Sequence, residues 1–394
     1  MLIWLAQSLH AQIDPTKREL IQLGYNYPLQ GHAPLAAYAF YYANLPNFYK
    51  SNLTLRLAVA PVYLDAEAGF MHLFGETTDL GIGISGGGFA DSYSEIRQGT
   101  YLREESFTGH GGGFSGSVYH LFNPGQRIPL NGLIRAEFHE SIFARDKDTA
   151  PGFVLPPDQP TLNFRTGFRF GGMEPLIFPD VAMELSLWYE YMYRFDPGTY
   201  GFGDRQLNQM SHLFWGRALL AYTLPKLRHS FSVNLTYGAG LDTDRFSAYR
   251  LGGILPLVAE FPLTLPGYYY REISASRFAL LGGQYGIPLD ANKNWALNFQ
   301  ATTAGVQYVT GLEQPGHWHS GVSGGIIYRS PKDAWQILVA YAYGIDAIRD
   351  NNRGAHSIGF LLQFDLDRAH RNLFDPADQP MRSRGLERIL RIFE

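Results

Sequence analysis

Val181-Ala182-Met183-Glu184-Leu185-Ser186-Leu187-Trp188-Tyr189-Glu190-Tyr191-Met192-Tyr193-Arg194 has a period of two. Val181, Met183, Leu185, Leu187, Tyr189, Tyr191 and Tyr193 fall on one side. Ala182, Glu184, Ser186, Trp188, Glu190, Met192 and Arg194 fall on the other. Successive side chains of a strand point to opposite faces, so this stretch reads as a strand with one apolar and one mainly polar face. The pattern recurs. Leu130, Ile134, Ala136, Phe138 and Ile142 oppose Asn131, Arg135, Glu137, His139 and Ser141. Leu162, Phe164, Phe168 and Phe170 oppose Asn163, Arg165 and Arg169, and near the end Ile358, Phe360, Leu362, Phe364 and Leu366 oppose Ser357, Gln363 and Asp365. Repeated two-faced strands of about ten residues are the signature of a transmembrane β-barrel.

Composition supports this over a soluble β-protein. Charged residues make up 17% of the chain and aromatics 15%, with 25 Tyr and 27 Phe. An ordinary globular protein carries about 25% charge, whereas a barrel needs aromatic girdles at two interfaces. Soluble sandwich strands average only about five or six residues. No apolar run approaches the roughly eighteen residues of a helical span. The formal charge is −4 and there is no basic stripe, so nucleic acid is not an expected partner. With no cysteine there can be no disulfide or thiolate metal site.

Candidate strands cover 19–27, 34–43, 52–64, 68–75, 79–90, 107–121, 130–144, 161–171, 181–194, 212–224, 229–239, 275–287, 294–308, 321–329, 334–344 and 356–366. These give an all-β antiparallel barrel of about sixteen strands over 19–366, an even number as single-chain barrels require. The division within 52–75 is placed at Asp65-Ala66-Glu67. Residues 1–11 read as part of a secretory signal cleaved after Ala11. Short turns such as Asn123-Pro124-Gly125 alternate with the long connections 195–211 and 240–274, so the chain is expected to start and finish at the periplasmic end. The tail, 367–394, sets Leu386, Ile389, Leu390 and Phe393 at helical spacing, an amphipathic helix suited to docking a partner.

The elements Tyr249-Arg250-Leu251-Gly252-Gly253 and Leu265-Pro266-Gly267-Tyr268, followed by a strand running to Pro288-Leu289, carry a resemblance. The chain resembles the BamA-like barrels of the outer-membrane assembly and secretion superfamily, over 19–366. That resemblance implies sixteen strands and a sixth extracellular loop folded into the lumen, bearing Leu251, Gly252, Gly253, Pro266, Gly267 and Tyr268. The family's tip arginine aligns with Pro266, which has neither cation nor donor. Its inner-wall arginine aligns with Gly286, and Arg271 is the candidate substitute for the missing cation. The family's periplasmic receiving domains have no counterpart here, which implies a short, barrel-only branch.

The inward polar set is expected to comprise Arg135, Glu137, His139, Arg165, Arg169, Glu184 and Glu190, a wall network holding the sixth loop. Gly83-Ile84-Ser85-Gly86-Gly87 matches a hydrolase elbow as text, but sits inside a strand rather than a strand–turn–helix. Its small residues would instead make room for a lumen insert or for curvature. Gly109-His110-Gly111-Gly112-Gly113 fails as an oxyanion string for the same reason. His317-Trp318-His319-Ser320 places two histidines on one face, without a third group to complete a catalytic or metal set. No cofactor, metal or enzymatic activity is expected. The expected role is transport, or a scaffold or helper role in protein or lipid movement; the rivals are a passive solute pore and a lipid hydrolase. Expected partners are membrane lipids, lipopolysaccharide, and a periplasmic or outer-membrane protein.

Overall fold

The computed structural model describes residues 17–172, 181–255, 262–331 and 334–367. The proposed signal segment and the apolar tail positions Leu386, Ile389, Leu390 and Phe393 lie outside the described residues. Sixteen antiparallel strands form the wall, numbered here in chain order. They are β1 Arg18–Pro28, β2 Ala36–Leu45, β3 Leu53–Ala60, β4 Tyr63–Phe70, β5 Thr78–Gly87, β6 Thr100–Leu121, β7 Leu130–Ala144 and β8 Gln159–Gly172. Then come β9 Val181–Arg194, β10 Met210–Thr223, β11 Ser230–Leu241, β12 Ile273–Pro288, β13 Trp295–Tyr308, β14 Trp318–Arg329, β15 Trp335–Arg349 and β16 Asn352–Asp365. Neighbours in sequence pair, and β1 pairs with β16 from Leu20↔Asp365 to Pro28↔Ser357, so the sheet closes. Closure removes every full-length edge, the standing liability of a sheet.

Period two fixes the faces. Ile134, Phe168, Leu185, Leu187, Leu235, Phe299, Val322 and Val339 are exposed on the outer wall, whereas Asn131, Glu184 and Trp188 on alternate positions are buried. An exposed apolar belt of this extent is covered only by hydrocarbon. One end of the barrel carries residues 88–99, 145–158, 195–209 and 242–272; the other carries the shorter connections 122–129, 224–229 and 289–294. At the long-connection end, β6 is paired by a ribbon, Tyr93–Arg97. There Tyr93, Phe107, Phe153, Tyr200 and Leu207 form a buried aromatic cluster.

Several boundaries differ from the sequence expectation. The turn in 52–75 falls at Pro61-Val62, not at Asp65-Ala66-Glu67; Asp65, Ala66 and Glu67 are paired to both neighbours inside β4. Alternating apolar residues Leu57 and Val59 had masked the two-residue hairpin. β6 starts at Thr100 rather than near 107, because the ribbon prolongs it beyond the belt. The connection 240–274 contains a short strand, Tyr249–Leu251, paired with Ile273–Ala275.

Candidate functional site

Two interiors meet inside the wall: inward side chains of the strands, and the connection 242–272. The members of the expected polar set face inward, and most of them take partners outside it. Glu184 on β9 takes both guanidinium nitrogens of Arg217 on β10, at 3.1 and 2.6 Å, with Arg169 of β8 at 3.7 Å on its other side. Arg165 lies 3.3 Å from Glu190 and rests over Trp188, 4.5 Å from the ring centroid. Arg135 grips Glu67 at 2.6 Å, and Arg56 stands 3.8 Å from the same carboxylate. Tyr119 donates to Glu67 at 2.8 Å. Glu137 accepts from Ser85 at 3.0 Å. These pairs bridge adjacent or nearby strands, so each buried charge is matched across the wall, as a low-dielectric interior demands. These pairs brace strand against strand, while His139 of the same set reaches a connection, through Asp91.

The glycine-rich strands make room for this wall chemistry. A Cβ on Gly81 would sit 2.9 Å from Glu67 Cδ, and one on Gly83 2.7 Å from Ser115 Oγ. Gly81 and Gly83 thus make room for wall side chains, whereas Gly86 and Gly87 lie against the backbone at Gly111 and Val62. Gly111 leaves space for Asp91 and His139. Asp91 comes from the 88–99 connection, and its Oδ2 accepts from Ser141 Oγ at 2.6 Å and bonds His139 Nε2 at 2.8 Å. Burial pushes the Asp91 carboxyl up, but the His139 and Ser141 hydrogen bonds outweigh it and hold the group below the usual carboxylate range.

The 242–272 connection is fastened at several points. Arg349 at the top of β15 forms a bidentate pair with Glu272, at 2.9 and 2.7 Å, both residues almost fully buried. The same guanidinium lies 3.4 Å over the Tyr269 ring, and Glu272 accepts from the Tyr269 backbone N–H at 2.7 Å. Arg271 does not supply this cation. It lies over the neighbouring Tyr270 ring at 5.2 Å, and its carbonyl accepts from Arg250 at 3.3 Å. The charge order is loop acid to wall base.

Pro266-Gly267 packs onto a bare patch. Gly321 and Gly344 are paired partners on β14 and β15. A Cβ on Gly321 would overlap the Pro266 carbonyl oxygen, and one on Gly267 would overlap Gly344 nitrogen. Gly267 has φ +85°, open only to a residue without Cβ at low cost. Beside it, Tyr268 hydroxyl bonds His319 Nδ1 at 3.1 Å, and Tyr308 hydroxyl bonds His319 Nε2 at 2.6 Å. His319 is fully buried in this polar clasp.

Further along the connection, Asn26 Oδ1 accepts from Leu255 N–H at 3.2 Å, and Gln300 donates to Thr264 at 3.3 Å. Arg194 holds Asp244 at 2.7 and 3.2 Å. Leu251 and Leu265 are wholly buried, and Gly252 and Gly253 take φ +140° and +86°. Arg165, Glu190, Arg250 and Thr264 line a cavity of about 400 Å³ between the wall and the connection.

His319 and Ser320 do not form a nucleophile–base couple. Ser320 lies on the opposite face of β14 from His319, and its hydroxyl pairs with Thr303 at 3.1 Å. A nucleophile and base must reach each other. Among the described residues no three His, Asp or Glu side chains converge as a metal-ligand group.

Glu67, Arg56, Asp91, Arg194, Arg217, Asp244, Glu272, His319, Arg349 and the Gly321–Gly344 patch are among the interior residues that sequence reasoning did not place in the site. Glu272 had one legible signal: it directly follows Arg271 after three tyrosines, leaving either charge able to serve the loop.

No protein-family model matches the sequence, and no curated protein matches it. Solved structures do. CdiB from Acinetobacter baumannii aligns with TM-score 0.58 at 9% identity, covering 89% of this chain and 60% of that one. CdiB from Escherichia coli gives 0.55 at 10% identity, covering 89% and 64%. BamA from Haemophilus ducreyi lacking POTRA domains 1–3 gives 0.54 at 11% identity, covering 88% and 70%. The chain thus has the sixteen-stranded BamA-like barrel fold, and it spans about three fifths of the first CdiB structure.

Proposed function

We propose that this chain works in the outer membrane of a diderm bacterium, long connections outward, in transport or as a helper in moving protein or lipid. The reading is non-enzymatic. The observation that carries it is the buried Glu272–Arg349 pair with the adjacent tip on Gly321 and Gly344, which tie the sixth connection to the inner wall of a BamA-like barrel. A simple solute pore gains nothing from filling its own lumen with a fastened segment. A barrel that must stay sealed until a client or partner engages does.

The chemistry of the surroundings suits lipids and lipopolysaccharide outside and a protein partner at the periplasmic mouth, where the apolar positions 386, 389, 390 and 393 would be presented. The test has two arms. In planar bilayers the wild type should show low, intermittent conductance, and Glu272→Gln should raise it; steady large conductance from the wild type would establish the pore instead. From native membranes the full chain should co-purify a protein that is lost on deleting residues 381–394.

A further inference from the structure

The wall is not equally tall all round. β3 and β4 have eight residues each, against fifteen and fourteen for β15 and β16. A membrane-crossing strand needs about nine to eleven residues at a tilt near 45°. Eight residues at about 3.3 Å each rise only about 19 Å at that tilt, short of an apolar band about 25 Å tall. The pairing of β2 with β3 is correspondingly brief, running from Tyr41↔Val59 to Leu45↔Leu55. Ala36–Phe40 of β2 therefore keeps strand partners on its β1 side while its other edge stands above the hairpin.

The hairpin's chemistry gives a second, independent observation. Its two-residue turn is Pro61-Val62, flanked by Val59, Ala60, Tyr63 and Leu64, with Val62 46% exposed. Two other two-residue turns at this end are Gln98-Gly99 in the ribbon, with φ +47° and +75°, and Asp350-Asn351 between β15 and β16, with φ +50° and +64°. Asp-Asn is what a tight turn in water uses. An apolar Pro-Val tip in water would expose hydrocarbon with nothing gained, whereas in a leaflet it costs nothing. On the inner face of the wall, Ala36 packs with Ile254 and Leu255, and Tyr38 lies against the same cluster, which extends to Ala340 and Ala342 of β15. The outer face of the hairpin runs directly into the lipid-facing belt at Ile82 and Ile84.

We propose that the β3–β4 hairpin ends within the outer leaflet, with acyl chains of the surrounding lipid covering its Pro61-Val62 tip, while headgroups and their water reach down to serve the backbone of the β2 edge above it. The wall thereby has a low, lipid-covered stretch on the side of β2–β4, separate from its closed β1–β16 seam. The inference requires only that the barrel spans a membrane, so it stands or falls independently of the transport role.

The chain has no cysteine, so single labels report cleanly. Val62→Cys, Leu64→Cys and Asp350→Cys would each be spin-labelled in the full chain, refolded into phosphatidylethanolamine–phosphatidylglycerol vesicles, and checked for heat-modifiable migration. Collision with oxygen, which partitions into hydrocarbon, is compared with collision with a water-soluble nickel chelate. The expected result is that labels at 62 and 64 collide with oxygen and are shielded from nickel several-fold more than the label at 350. Fluorophores at the same sites should be quenched by lipids brominated on their acyl chains. Nickel access at 62 and 64 equal to that at 350 would overturn the proposal. Shielding from both reagents would also overturn it, because protein and not lipid would then cover the tip. Either of the two hairpin variants suffices if the other fails to fold.

Discussion

Arg349 on β15 and Glu272 on the sixth connection face each other as a two-pronged pair, Nη1–Oε1 at 2.9 Å and Nη2–Oε2 at 2.7 Å. Both are nearly sealed from solvent, so neither charge has water to fall back on. Removing one partner of such a pair costs about 3–5 kcal/mol, while replacing both with apolar groups of similar size is often close to neutral. Arg349→Met alone should lower the unfolding midpoint in urea for the vesicle-inserted barrel. Arg349→Met with Glu272→Leu should recover much of that loss. Equal destabilisation by the single and double variants would mean that the pair is not the fastening.

The glycine patch should be as sensitive to bulk as the ion pair is to charge. A methyl on Gly321 overlaps the Pro266 carbonyl oxygen, a backbone atom that cannot rotate away. Gly321→Ala should lift the Pro266-Gly267 tip while leaving the wall closed. Protease should then cut within residues 242–272 faster in the variant, with the barrel core still protected. Gly324→Ala, on the same strand but near only the Phe299 ring at 3.5 Å, should leave cleavage unchanged.

Leu187 and Ser186 test the register of β9. Leu187 is 53% exposed on the outer belt, whereas Ser186 faces inward and donates to Glu184 at 3.1 Å. Leu187→Arg should cost about 2–4 kcal/mol near the bilayer midplane and reduce insertion yield. Ser186→Asn should insert normally. Equal insertion yields would contradict the assignment of faces.

His319 is held between Tyr268 and Tyr308, and no serine hydroxyl shares its clasp. His319→Ala removes both hydrogen bonds and strands a buried Tyr268 hydroxyl, a penalty of about 1–3 kcal/mol. The unfolding free energy should fall by that amount. Any lipid hydrolysis by the preparation should be unchanged, and a loss of turnover would revive the enzymatic rival.

These residues also show what a period of two can and cannot reveal. Glu184, Glu190, Arg165 and Arg169 were legible because β8 and β9 run without interruption, so parity carries over the whole strand. Arg349 was not. Its strand pairs regularly up to Gly344, then shifts register before Ile348. Before the shift the even positions Leu338, Ala340 and Ala342 face inward; after it the odd positions Ala347 and Arg349 are the buried ones. Between Gly344↔Ala355 and Ile348↔Arg353 this strand advances four residues against two on β16, so the alternation is broken there, and simple alternation would send Arg349 to the lipid. Glu67 was hidden differently. A charged pair, Asp65 and Glu67, around an alanine looks like turn chemistry, while the true turn is apolar. Long-range matches such as Arg135 with Glu67 depend on which strands become neighbours, which local pattern does not specify.

Asp91 supplies the pH dependence of the 88–99 connection. Its carboxylate accepts from His139 and Ser141, and these bonds hold its pKa below that of an ordinary aspartate despite its burial. The unfolded value is about 3.9. Because the folded carboxyl binds its proton less readily than the unfolded one, docking of the connection is fully supported above that unfolded value. The support is lost as pH falls through the lower folded value. The Asp91 transition is therefore read below pH about 3.9. A polarity-sensitive dye on Phe89→Cys, beside this contact, should show steady emission down to that point and then shift as acid undocks the connection. Asp91→Asn should give the undocked emission already near neutrality and remove the acid transition. A wild-type transition that begins above the ordinary aspartate value would show that the carboxylate is not the stabilised form, and would place the anchor of this connection elsewhere.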